Sequence, residues 1–166
     1  MKKSKLLLAI LLINTPFVFA GQANTAKDTV KVPQSALCKG KEIYISGNNV
    51  LWGKPSIEKP LVVYAGTQKP TGIIACGTGV VTTFRMSDSS PKDHAFYSPN
   101  CEYVGQVGPD NSTELVYNGS QTIVSLSQPA NKKGIVARWR HASGREHSYT
   151  SLDCKHVGGG GKTNLK

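Results

Sequence analysis

Acidic side chains are scarce in this chain: 10 Asp and Glu stand against 20 Lys and Arg, for a formal net charge of +10. No apolar run reaches the ~20 residues of a membrane-spanning helix. No stretch keeps an apolar spacing of three and four long enough for a substantial helix, which argues against a helical bundle. There is no C-x-x-C and no pair of His at metal-ligand spacing, so neither zinc nor any other metal is expected. G-x-S-x-G, the P-loop and a dinucleotide fingerprint after a strand are all missing, so no cofactor is expected. With 166 residues there is room for one domain and not for a cofactor domain beside a substrate domain. A hydrophobic fraction of 39% with 18% charged residues argues against collagen, coiled coil and wholesale disorder.

What is present begins with an address. Lys2, Lys3 and Lys5 precede the apolar run from Leu6 to Ile13, and Val18, Phe19 and Ala20 lead to Gly21. A charged start, a short apolar middle and a small-residue exit are the parts of a secretory signal peptide. Residues 1–20 are therefore read as a leader, with Asn14, Thr15 and Pro16 interrupting the run. No Cys follows the expected cut, which argues against a lipid anchor. Losing three leader lysines from a formal charge of +10 leaves the mature chain at +7. It is expected to be secreted or periplasmic, with no transmembrane segment after leader removal.

Cys38, Cys76, Cys101 and Cys154 all lie beyond the leader. An even count in an exported chain reads as two disulfides. The expected pairing is Cys38 with Cys76 and Cys101 with Cys154, each closing a loop long enough to restrict the unfolded chain by about 3 to 5 kcal/mol. Residues 21–35 are polar and read as a loose arm, 36–156 as the folded β domain, and 157–166, with four consecutive glycines, as a flexible tail.

Inside the domain, β-branched and aromatic runs alternate with Gly, Pro and Asn clusters, so the fold is expected to be all-β. An antiparallel sandwich or small barrel of about nine short strands follows. The strands are placed at 42–46, 61–65, 72–76, 79–86, 102–107, 113–117, 121–126, 134–141 and 147–154. Asn118 and Gly119 predict a two-residue type I′ turn joining 114–117 to 121–124. Trp52 is read as a core residue with its N–H on a nearby carbonyl, against an exposed stacking platform. Trp139 is read as core.

The charge is uneven. Residues 132–166 carry eight basic and two acidic side chains, a surplus of six, and the rest of the mature chain has a surplus of one. Residues 134–150 read as a hairpin turning at Ser143 and Gly144. With those two as the loop, Ala142 faces Arg145, His141 faces Glu146, Arg140 faces His147, Trp139 faces Ser148 and Arg138 faces Tyr149. Ala137, Trp139, His141 and Glu146 then share one face, and Arg138, Arg140, Arg145, His147 and Tyr149 share the other. Guanidinium forks match carboxylate, sulfate and phosphate oxygens. These five residues are the candidate ligand-binding set, for an acidic protein, nucleic acid or envelope polysaccharide. The plainer alternative is a solvated strand face whose charges prevent edge pairing.

An exported binding protein with an inhibitory, immunity or adhesion role is the leading expectation, and an enzyme the lesser one. The enzymatic alternative is a small secreted ribonuclease or phosphodiesterase using His147, Arg140 and Tyr149. Its weakness is that the expected register separates His141 from His147, so a second imidazole must come from His94 or His156. A third alternative is a structural assembly subunit. The Cys38 to Cys76 interval is similar to that of chaperone-assembled pilus subunits, but the aromatic C-terminal ending of that family is missing, and no function is carried over.

Overall fold

The computed structural model describes residues 32–54, 56–87, 90–105, 113–119, 121–129, 133–141 and 143–158. Residues 1–31, which hold the expected leader and most of the expected arm, and residues 159–166 of the expected tail lie outside them. Every regular element among the described residues is a strand, and all pairing is antiparallel. No helix there is long and apolar enough to cross a membrane.

Among the described residues eleven strands form three sheets. The first is β1 (Ser35–Cys38), β2 (Lys41–Ser46), β3 (Asn49–Trp52) and β4 (Leu61–Ala65), in that order. The second is β5 (Lys69–Cys76), β6 (Gly79–Ser87), β7 (Ser90–Ser98) and β8 (Glu114–Asn118). The third is β9 (Thr122–Ser127), β10 (Ile135–Arg140) and β11 (Glu146–Ser151), with β10 in the middle. Each sheet is a meander of consecutive strands, so each strand pairs only with its neighbours in sequence.

The second sheet supplies both cores. Ile73, Val80, Phe84, Phe96 and Leu115 join Ile43, Val50, Val63 and Tyr64 of the first sheet in one cluster. The residues alternating with them, Ile74, Val81, Ala95, Tyr97 and Val116, join Ile123, Leu126, Ile135, Ala137 and Trp139 of the third sheet in another. A sheet covered on both faces needs apolar residues at successive positions, which explains the pairs Ile73–Ile74 and Val80–Val81. Phe84 anchors the first core, with Tyr64 at 4.4 Å and Phe96 at 5.9 Å between ring centroids.

Each core holds one disulfide, Cys38–Cys101 in the first and Cys76–Cys154 in the second. The expected pairing of sequence-adjacent cysteines is thus incorrect. Cys38, at the end of β1, lies in the first cluster and Cys76, at the end of β5, points into the second, so each thiol finds its partner within its own core. Two disulfides suit an oxidising compartment.

Several strand expectations also change. β1, β3 and β7 were not anticipated, and 102–105 is not a strand. The type I′ hairpin at Asn118–Gly119 does not form: β8 pairs with β7 and β9 with β10. Neither Asn118 nor Gly119 has positive φ. Gly119 is there because the Tyr117 ring folds back over it, where an added Cβ would lie 2.1 Å from the Tyr117 hydroxyl. The two-residue turn with both φ positive is Lys39–Gly40, at 49° and 74°, between β1 and β2. At the margins, Val32 and Val157 are both core residues. The chain is therefore packed a few residues into the segments that composition assigned to arm and tail.

Candidate functional site

β10 has a fixed orientation. Ile135, Ala137 and Trp139 are buried, with Trp139 stacked on Tyr117 at 5.5 Å. Arg138 and Arg140 must then point the other way. This half of the expectation agrees with the structure. The other half depends on how many residues the turn contains.

The His141 N–H donates to the Arg145 carbonyl at 2.9 Å, and the Gly144 N–H donates to the His141 carbonyl at 2.9 Å. His141 and Arg145 therefore close the hairpin, with three residues between them rather than two. Gly144, at φ +82°, takes the left-handed position that such a loop needs at its third residue. Every pairing moves by one: Arg140 faces Glu146, Trp139 faces His147, Arg138 faces Ser148 and Ala137 faces Tyr149. The expected register was offset by one residue, and because side chains alternate, all of β11 changes face.

The outward face now holds Arg138, Arg140 and Glu146. Arg140 donates from Nε at 3.1 Å and from Nη2 at 2.6 Å to Glu146 Oε1, and Arg138 Nη2 donates to Oε2. The arginine hydrogen bonds, Arg140's first, hold the Glu146 carboxyl below the usual carboxylate range. Two guanidinium groups side by side call for an anion, and the protein's own Glu146 is that anion. Arg145 stays exposed at the tip. Residues 133–151 retain four basic side chains against this one carboxylate, a surplus of three.

The inward-turning face carries His147 and Tyr149 beside His141. The imidazoles of His141 and His147 meet edge to face with centroids 4.7 Å apart. The Gln121 side-chain amide lies 3.2 Å from His141 Nε2. Tyr149 stands 6.3 Å from Trp139 and edge-on to His156 at 5.4 Å. His94 is elsewhere, on β7, lining a cleft of about 500 Å³ with Tyr64, Gln68 and Phe96. Of the five sequence-derived binding residues, the structure groups Arg138 with Arg140 on one face, groups His147 with Tyr149 on the other, and leaves Arg145 at the loop. For the phosphodiesterase set, Arg140 separates from His147 and Tyr149, and His141 joins them. Among the described residues no three His, Cys, Asp or Glu side chains are grouped to hold a metal ion.

Sequence reasoning missed Glu146 as the partner of both arginines, and Gln121. The signal for Glu146 was present: Ala142-Ser143-Gly144 fits a three-residue loop with Gly at its last position as well as Ser143-Gly144 fits a two-residue one. Trp52 is half-buried, its Nε1 donating to the Cys38 carbonyl at 3.1 Å, with the Lys41 ammonium 5.6 Å from the ring centre. No family model, curated protein or solved structure matches the chain.

Proposed function

We propose that the chain is an exported, non-catalytic binding protein, secreted or periplasmic after leader removal, which docks through its β10–β11 hairpin on an anionic partner or surface. The carrying observation is that six of the seven surplus charges of the mature chain fall in residues 132–166. Within the hairpin, Arg138 and Arg140 stand on the outward face of β10 and Arg145 at the loop, beside the edge strand β11, which is exposed at all four positions from His147 to Thr150. The net positive field of this part of the chain attracts an acidic protein, nucleic acid or envelope polysaccharide and orients its approach. Inhibition, immunity and adhesion all use such a contact.

Glu146 gives the test two directions. Heparin serves as the polyanion probe at low salt, read by retention and by titration. Replacing Arg138, Arg140 and Arg145 together by Ala should weaken binding and flatten its salt dependence, while the melting temperature moves little. Glu146→Gln removes the internal carboxylate and should strengthen binding. Unchanged affinity in the triple variant overturns the proposal.

The closeness of His141 and His147 favours a second reading, a secreted phosphodiesterase, over its form in the sequence. Two imidazoles on one face supply acid and base, with Tyr149 beside them. Incubation with RNA decides it: turnover lost in His147→Ala supports it, and no turnover in the native protein removes it.

A further inference from the structure

We infer that His141 and His147 form a two-imidazole site for a divalent transition-metal ion, Cu²⁺ foremost, on the hairpin face opposite Arg138 and Arg140. The two residues are six apart in sequence, a spacing that announces no metal site. The three-residue loop puts His141 two residues beyond Trp139, just past the end of β10 and on the same face, and His147 directly across from Trp139 on β11, so that the two imidazoles sit diagonally on one face.

The geometry fits one ion. Taking a metal–nitrogen bond of about 2.05 Å, the ion lies about 3.2 Å from the centre of each ring; two rings then stand about 4.5 Å apart at a 90° ligand angle and about 5.2 Å apart at a tetrahedral one. The observed separation of 4.7 Å falls between these values. The rings meet edge to face at 68°, so bringing one nitrogen of each onto a shared ion takes rotation about the side-chain torsions. The square-planar end of the range is the preference of Cu²⁺, which also binds imidazole most tightly among the divalent first-row ions. That strength matters beside an exposed Arg145, which disfavours weakly held cations.

Gln121 provides an outer support. As placed, its amide nitrogen lies 3.2 Å from His141 Nε2; turning the amide end for end puts the oxygen there to accept the Nε2–H, which fixes the tautomer whose Nδ1 lone pair faces an ion, and ligating histidines are commonly held in this way. His147 is exposed, so the ion enters directly from solvent. Since no third protein ligand is grouped there among the described residues, water or a docked partner fills the remaining positions. This is an exchangeable site, unlike the closed four-ligand sites of structural zinc.

The experiment is a Cu²⁺ titration of the purified, disulfide-bonded protein near neutral pH, followed by quenching of Trp139, the cross-strand partner of His147. Quenching should saturate at one equivalent. His141→Ala and His147→Ala should each weaken Cu²⁺ binding by about tenfold or more, since losing a ligand costs at least as much as losing an outer partner. His141→Gln, which keeps an amide beside Gln121 if the hairpin is sensitive to truncation, should lose binding equally. His94→Ala should bind as the native protein does, and electron paramagnetic resonance should show two nitrogen ligands. Quenching unchanged in the His141 and His147 variants, or lost equally in His94→Ala, overturns the site. The Arg138, Arg140, Arg145 triple variant should still take up Cu²⁺, so failure of anion docking and failure of this site are distinguished.

Discussion

Asp93 ties the hairpin-bearing sheet to the second sheet through a buried hydrogen bond. It sits on β7 with 1% of its surface exposed, and its Oδ2 accepts the Ile123 N–H of β9 at 2.8 Å, a hydrogen bond from the second sheet to the third. Oδ1 lies 3.5 Å from Arg85 Nε. Asp93→Ala leaves a buried N–H without its acceptor where water has no access, a loss of about 1–3 kcal/mol. Asp93→Asn keeps an oxygen acceptor and should stay within about 1 kcal/mol of the native protein, because ending the burial of a charge offsets the weaker contact with Arg85. Burial raises the Asp93 carboxyl pKa, with the Ile123 N–H and then Arg85 pulling it back down. A folded value above the unfolded one means that the native state holds the proton over the window between them. The stabilisation from this group is thus complete below the ordinary carboxylate range and is lost as pH rises through the raised value. The native protein should lose stability relative to Asp93→Asn across that window and run parallel to it above. Urea unfolding followed by tryptophan fluorescence, at a series of pH values with disulfides intact, measures both effects. Equal stability of the Ala and Asn variants near neutral pH would refute the reasoning.

The disulfides should contribute nearly equally. Their separations of 63 and 78 residues correspond to about 4.3 and 4.5 kcal/mol of loop-closure entropy, so removing either pair of cysteines should lower urea stability by about 4 kcal/mol, and a non-reducing peptide map should recover Cys76 linked to Cys154. Gly158 has φ +139°, and an added Cβ would lie 2.0 Å from Trp139 Cη2; Gly158→Ala should destabilise by about 1–3 kcal/mol and red-shift Trp139 emission as the ring is pushed out of its site.

What the sequence made legible was decided by how locally each feature is encoded. The all-β class and antiparallel pairing follow from short β-branched runs between turn residues, and the faces of β10 follow from Ile135, Ala137 and Trp139 alternating with Val136, Arg138 and Arg140. β7 was unreadable because Lys92, Asp93 and His94 give it a polar middle, and the burial of Asp93 depends on Ile123, 30 residues away. The Asn118–Gly119 pair carries a strong local turn signal, and tertiary packing overrides it: Tyr117 is 2% exposed, and holding its ring in the second core takes the chain from one sheet to the next. Cysteine pairing was unreadable for a related reason, since it depends on which faces of β1 and β5 meet which core.

The hairpin shows how much chemistry depends on loop parity. With two loop residues, Glu146 would sit beside His141, and the three arginines would stand together with His147 as an uncompensated cationic patch. With three, the same residues sort into an arginine–carboxylate network on one face and an imidazole pair on the other. The first arrangement would bind an anion by relieving its own repulsion. In the second, Glu146 already relieves it, so an anionic partner gains most where it meets Arg145 and the basic residues outside the Arg138–Glu146–Arg140 group, or where it displaces Glu146 itself. Partner affinity should therefore rise when Glu146 is neutralised and depend steeply on salt, whereas Cu²⁺ uptake on the opposite face should respond to neither change.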